Sequence, residues 1–181
     1  MTGKRKSVIL GVTGGIAAYK ACEIISLLRK ESVDVTVLMT KEAEEFVTPL
    51  TFQTLTGNKV YRDLFALPDE WNPVHTALAD KAGLVLIAPA TANVIGKIAG
   101  GICDDILTCT VFATDAPVLI APAMNEKMYE HRIVQENIRK LKSVGYRFVG
   151  PVKGRLACGH EAIGHIADTR EIVNEAKRIL K

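Results

Sequence analysis

The stretch Pro117-Val118-Leu119-Ile120-Ala121-Pro122-Ala123-Met124-Asn125-Glu126-Lys127-Met128 decides how this chain is read. Its first five residues form an apolar run too short to cross a membrane and of the right length for a buried strand. A strand that is apolar on both faces belongs to a parallel sheet covered by helices on each side. Such sheets take their ligands in the crevice beyond the strands' carboxyl ends. The residues after Ala121 therefore stand where a ligand is expected. A proline stiffens the exit, Ala123 is small, and the amide of Asn125 sits between two methionines. The segment reads as rigid backbone beside a bound molecule, with Asn125 pointing at it.

The same pattern repeats outward. Lys6 to Val12 is a β-rich run ending in a tight turn at Thr13-Gly14-Gly15. A helix follows, with Ala21, Ile24, Ile25 and Leu28 at the i, i+3, i+4, i+7 spacing of a buried face. Val33 to Met39 and Leu84 to Ala88 read as further buried strands. Thr48-Pro49 opens a short helix through Leu55, closed at Gly57-Asn58, and His75 to Ala82 forms another. Thr91 is placed to cap a helix burying Val94, Ile95, Ile98 and Ala99. A helix from Asp104 to Ala113 leads back to the strand at 117–121. Tyr129 to Val144 is predicted as one helix, and Tyr146 to Val149 as the last strand.

Residues 62–74 carry two prolines and no period, and read as a functional loop. Gly150 to Ala167 is glycine-rich and aperiodic, a C-terminal substrate flap over about residues 150–167. Asp168-Thr169-Arg170-Glu171 has capping-box spacing and starts a terminal helix burying Ile172, Ala176, Ile179 and Leu180. Strands alternate with helices and no linker interrupts them. The expected fold is α/β, a single domain over 1–181 built on a doubly wound parallel sheet of Rossmann-like or flavodoxin-like kind.

Composition narrows the function. A chain of 181 residues buries about 70% of its unfolded surface. Its 48% hydrophobic and 24% charged residues are those of an ordinary globule. Lys and Arg exceed Asp and Glu by only 3, scattered along the chain, which excludes a nucleic-acid footprint but leaves room for a small anionic ligand. Cys22, Cys103, Cys109 and Cys158 show no paired spacing, so no metal site and no disulfide framework are expected, and a reduced cytoplasmic protein follows. Lys4-Arg5-Lys6 imitates a signal-peptide start, but the apolar stretch breaks at Thr13-Gly14-Gly15 without a cleavage site. No segment reads as membrane-spanning.

Gly11-Val12-Thr13-Gly14-Gly15 lacks the Gly-x-Gly-x-x-Gly spacing of a dinucleotide fingerprint. The second strand ends in Leu38-Met39-Thr40-Lys41, without the acidic residue that grips an adenosine ribose. Backbone N–H groups in a turn plus the Thr40 hydroxyl suit a single phosphate, so a mononucleotide fits better. Pro89-Ala90-Thr91-Ala92-Asn93 repeats the strand-proline-small-Asn design and points to a shared crevice. His75 stands at the mouth of the long loop, as a solvated helix-start residue or an active-site one. Cys22 and Cys109, the latter placed near a strand, read as packing residues. Cys158, between Ala157 and Gly159 in the flap, has little to pack against and reads as a proton donor or nucleophile.

Taken together, Gly14-Gly15-Ile16-Ala17-Ala18-Tyr19-Lys20, His75 with Leu78, Pro89 to Asn93 and Pro122 to Met128 resemble the homo-oligomeric flavin-containing cysteine decarboxylases. Leu156-Ala157-Cys158-Gly159 looks like the substrate clamp of the branch that acts on 4'-phosphopantothenoylcysteine in coenzyme A biosynthesis. The likeness runs from about Val8 to Leu180. It implies bound FMN and an enzyme, a carboxy-lyase giving 4'-phosphopantetheine. The substrate's thiol is oxidised toward a thioaldehyde, CO2 leaves without an unstabilised carbanion, and the enethiolate is protonated and reduced.

Residue by residue, the resemblance implies a catalytic His75 that handles the substrate's proton and orients its cysteinyl end. It implies an Asn125 that hydrogen-bonds the carboxylate, where Asp would repel it, and a Cys158 that donates a proton in the reductive step. Gly14, Gly15, Thr40, Phe46, Thr91, Ala92, Asn93 and Ala123 look like FMN contacts, and Ala157 a substrate contact. Charge and location add Lys153 and Arg155 for the substrate phosphate. Many relatives continue the clamp into Gly-Arg-Met, whereas this chain has Gly164-His165-Ile166. A trimer or multiple of trimers is implied, with flavin near subunit interfaces. A ligase domain or partner is implied too, since many bacterial relatives are fused to one; a chain ending at Lys181 is then free-standing or an excised half.

Three other functions compete with this reading. A peptidyl-cysteine decarboxylase of lantibiotic type stops after the oxidative step and lacks the reducing cysteine. A flavin prenyltransferase is disfavoured by His75 and by Pro122 to Asn125. A non-catalytic FMN-binding regulatory subunit of protein phosphatases depends on long extensions.

Overall fold

In a computed structural model describing residues 6–65, 73–157 and 159–181, side chains alternating across each strand build two cores around one sheet. The strands are β1 (Ser7–Val12), β2 (Asp34–Met39), β3 (Val60–Tyr61), β4 (Leu84–Ala90), β5 (Val118–Pro122) and β6 (Arg147–Phe148). All are parallel, in the order β3-β2-β1-β4-β5-β6. That is the Rossmann order, not the flavodoxin one. Leu10 of β1 lies opposite Val37 of β2 and Leu86 of β4, and these three point to the same face.

On that face the sheet packs against α1 (Lys20–Lys30), α2 (Pro49–Thr56) and α8 (Thr169–Ile179), through Ile24, Ile25, Leu28, Phe52 and Ile172. Ile9, Leu38, Val85, Ile87 and Ile120 point the other way. They meet α3 (Val74–Lys81), α4 (Ala92–Gly100), α5 (Ile106–Ala113) and α7 (Arg132–Ser143). Each fully buried aliphatic side chain contributes about 1.5–3 kcal/mol relative to exposure. Short 3₁₀ turns follow β1 (Ile16–Tyr19) and β2 (Lys41–Glu45), and the brief α6 (Glu126–Glu130) follows β5.

Several expectations need correction. The predicted helix over 129–144 is two helices, because His131 leaves helical geometry and its Nδ1 accepts from the Ile133 N–H at 3.3 Å, capping α7. The helix expected from Asp104 begins at Ile106, since Asp105 is its N-cap and forms a capping box with Thr108. Cys109 lies within that helix, not beside a strand. In α8, Asp168 caps the Arg170 N–H at 2.8 Å instead of closing a box with Glu171. Ile179 and Leu180 are only partly buried there. The two-residue β3 was too short to leave a periodic signal. Residues 66–72 of the predicted loop, the basic opening up to Arg5, and Cys158 lie outside the described residues.

The largest correction concerns the flap. Residues expected to be aperiodic contain an antiparallel hairpin of β7 (Val152–Arg155) and β8 (Glu161–His165), so β6 is not the last strand. A register shift at Val152/Lys153 and glycines at 154 and 164 hide its period of two. Gly164, at φ +124°, accepts a hydrogen bond through its carbonyl from the Met124 N–H at 3.0 Å. A Cβ at residue 164 would lie 2.2 Å from the Met124 carbonyl oxygen. Beyond it, His160 Nε2 lies 3.0 Å from Glu126 Oε1. The hairpin is thus fastened along the segment that follows β5. Gly164→Ala, opposed by both backbone angle and overlap, is expected to cost about 2 kcal/mol. Urea unfolding checks this, and a loss under about 0.5 kcal/mol would contradict it.

Candidate active site

Because β2 and β3 extend the sheet on one side of β1 while β4 to β6 extend it on the other, a crevice opens at the ends of β1 and β4. The Thr13 hydroxyl, 1% exposed, bridges the two ends. It donates to the Pro89 carbonyl at 2.8 Å and accepts from the Thr91 N–H at 3.1 Å. The Ala123 N–H then donates to the Ala90 carbonyl at 3.0 Å, joining the β5 exit to the β4 exit. Three strand ends are stitched into one wall.

A cleft of about 620 Å³ lies against that wall. The turn Gly14 to Ala17, Thr91 and Ala92, Ala123 to Asn125, and the hairpin residues Arg155 to Ala157 and Gly164 to Ile166 enclose it. A smaller cavity of about 240 Å³ adjoins it, sharing Gly14, Thr91, Ala92 and Met128 and adding Thr13, Thr40, Asn93, Lys97 and Asp105. Among the described residues, Thr40 Oγ1 is the one buried side-chain oxygen or nitrogen without a hydrogen-bond partner. A buried hydroxyl left so costs about 1–3 kcal/mol unless a ligand satisfies it. Its position in the smaller cavity, together with the absence of a side chain at Gly15 in the adjoining cleft, fits a flat cofactor that carries acceptor groups.

Of the residues singled out from sequence, Gly14, Gly15, Thr91, Ala92, Ala123, Asn125, Arg155 and Ala157 line the larger cleft, and Thr40 and Asn93 the smaller one. Gly14 has a packing reason as well: a Cβ there would stand 2.3 Å from Glu42 Cβ. Phe46, Lys153 and His75 line neither cavity of their own chain. His75 sits half-buried in the first turn of α3, whose far end is tied toward α5 by the Thr114 hydroxyl donating to the Ala79 carbonyl at 3.1 Å. Asn125 is the N-cap of α6, its Oδ1 accepting from the Lys127 N–H at 3.0 Å. That bond sets which end of the amide faces where.

Sequence reasoning gave no role to Ile16, Tyr19, Lys20, Met128 or His165, which also line the larger cleft. The first three follow directly on the strand-to-helix turn, and that adjacency was the signal available. Among the described residues the larger cleft is lined by two cations, Lys20 and Arg155, and by no carboxylate.

The smaller cavity is balanced differently, with Lys97 2.7 Å from Asp104 and 2.9 Å from Asp105. Burial opposes ionisation of Asp105, but hydrogen bonds from the Thr108 N–H, Lys97 and the Thr108 hydroxyl outweigh it and hold the carboxyl below the usual range. A depressed folded value contributes stability that is present above the unfolded value, about 3.9, and lost as pH falls through the folded one. Asp105→Asn is therefore expected to flatten the acid side of the stability-pH curve below about pH 4. Removing the Thr13 clamp by Thr13→Val is expected to cost about 2–3 kcal/mol, measured by urea unfolding, since it orphans the Thr91 N–H and the Pro89 carbonyl.

An open parallel sheet with its cleft at the reversal of strand order, lined by small residues, hydroxyls and an amide, defines a cofactor-binding α/β protein of the nucleotide type. The chain belongs to the Flavoprotein family, whose model it matches over residues 1–181. It is 42% identical to the probable phosphopantothenoylcysteine decarboxylase of Streptococcus mutans, over 97% of this chain and 99% of that one. It is 49% identical to the coenzyme A biosynthesis bifunctional protein CoaBC of Bacillus subtilis, over 96% of this chain but 43% of that protein. The chain thus spans less than half the length of the bifunctional relatives it matches. A PPC decarboxylase variant complexed with pantothenoylaminoethenethiol superposes with a TM-score of 0.86 at 29% identity, over 96% of this chain and 97% of that one. The FMN-dependent cysteine decarboxylase SpaF gives 0.83 at 30% identity, over 97% of each chain. Among the described residues no helix is long and apolar enough to cross a membrane, and no group of three or more His, Cys, Asp or Glu could hold a metal ion.

Proposed function

We propose that this chain is an FMN-dependent decarboxylase that converts 4'-phosphopantothenoylcysteine to 4'-phosphopantetheine in the cytoplasm. The observation that carries the reading is that Asn125 and the hairpin clamp share one cationic cleft with the turns after β1 and β4. The full-length likeness to the Streptococcus mutans protein supports the choice of substrate. FMN, when bound, supplies reversible two-electron oxidation of the substrate's thiol.

The residues around it do the rest. Thr40, Thr91 and Asn93 offer hydroxyl and amide groups to the cofactor, and Gly15 and Ala123 let its ring approach the backbone. Asn125 keeps Oδ1 on its helix cap and turns the amide N–H2 toward the substrate carboxylate, holding the group that leaves as CO2. Arg155 takes the substrate phosphate; Lys153, outside the cleft, is not needed for it. Cys158 supplies the proton when the enethiol is reduced.

His75 reaches the cleft from a neighbouring copy in a trimer-based assembly. Ile16 and Tyr19 support this, since they are 59% and 56% exposed at the cleft rim, apolar surface suited to cover by a second subunit. A ligase domain or partner supplies the substrate, in keeping with the bifunctional relatives.

Incubation with 4'-phosphopantothenoylcysteine followed by mass analysis tests the reading: one CO2 is expected to leave, with a saturated thiol as product. Cys158→Ser should accumulate the unsaturated enethiol instead, and normal turnover by that variant would remove Cys158 from the mechanism. His75→Asn should block CO2 release. Asn125→Asp should lower kcat/KM about a hundredfold by setting a second negative charge against the carboxylate.

A further inference from the structure

The hairpin sends a second polar side chain into the larger cleft besides Arg155, namely His165 of β8. Its Nδ1 lies 2.8 Å from the carbonyl oxygen of Ile166. A carbonyl only accepts, so Nδ1 carries the proton. The ring also rests against Gly154 on the facing strand, where a Cβ would stand 2.9 Å from the imidazole Cγ. The ring is held at Nδ1 and along one side, so Nε2 is its remaining polar atom, and in the imidazole form with the proton on Nδ1 that atom bears a lone pair. Lys20 and Arg155 already bring positive charge to this cleft. What His165 adds is a ring-nitrogen acceptor beside these two cations.

Its place in the chain says which donor it meets. The residue before it, Gly164, accepts from the Met124 N–H, and a Cβ there would stand 3.5 Å from the Asn125 carbonyl carbon. His165 is therefore close to the side chain assigned to the substrate carboxylate. In 4'-phosphopantothenoylcysteine the carbon bearing that carboxylate also bears an amide N–H. We propose that Nε2 of His165 accepts the hydrogen bond of this amide and so fixes the substrate's cysteinyl carbon in the cleft. The proposal rests on the decarboxylase reading above.

Two variants separate this role from a purely structural one. His165→Asn keeps an N–H for the Ile166 carbonyl but has no atom where Nε2 stands, whereas His165→Gln places an amide oxygen there. His165→Asn is expected to raise KM about tenfold, with a smaller effect on kcat, and His165→Gln to restore most of the loss. The dissociation constant of 4'-phosphopantetheine, which keeps the same amide, should follow the same order when titrated against the flavin fluorescence. An unchanged KM in His165→Asn, or an equal rise in both variants, overturns the assignment. A wild-type protein that releases no CO2 from the substrate overturns the decarboxylase reading itself, and is seen before any variant is made.

Discussion

The buried hydroxyl of Thr13 is the contact on which the site depends. Parallel strands in a sheet fix one another along their length, but each exit is free to diverge once pairing ends. Thr13 prevents that for β1 and β4 by donating to one backbone group and accepting from another across the gap. The Ala123 N–H extends the stitch to β5. The bond to the Pro89 carbonyl is buried, so breaking it exposes no replacement partner there. Three loops that would otherwise vary independently become a single surface. Thr91 is held by the clamp through its N–H and still caps α4 through its hydroxyl.

The hairpin is attached to that surface by backbone, not by side chains alone. Met124 donates to Gly164, and the absence of a Cβ at 164 lets the two chains meet at that distance. The hairpin, the segment that follows β5 and the start of α6 therefore form one unit. A region that reads as loose in sequence is anchored in the fold beside the larger cleft.

How much of this was legible varied with the length of the signal. The buried strands at 84–90 and 118–122 and the faces of α1 and α4 were plain, because continuous apolar runs and i, i+4 spacing survive any tertiary context. Strand order was not, and only pairing distinguishes the Rossmann from the flavodoxin sequence of strands. The hairpin was missed because glycines and a register shift interrupt its alternation. In the site, Asn125 and Thr91 were legible from their place at strand exits. His165 was noticed only as a departure from a related motif, and its orientation depends on Gly154, a neighbour across the hairpin that no local reading supplies. His75 shows the opposite limit, since its own chain does not bring it to the cleft.

On the function proposed above, Asn125 serves two masters through one amide, the first turn of α6 and the substrate carboxylate. Aspartate caps a helix as well as asparagine does. The cap bond is therefore indifferent to an exchange that the proposed carboxylate contact would reject. On that reading only a selection that reads turnover keeps asparagine there, so the identity of this side chain carries information about chemistry that the helix cap does not contain.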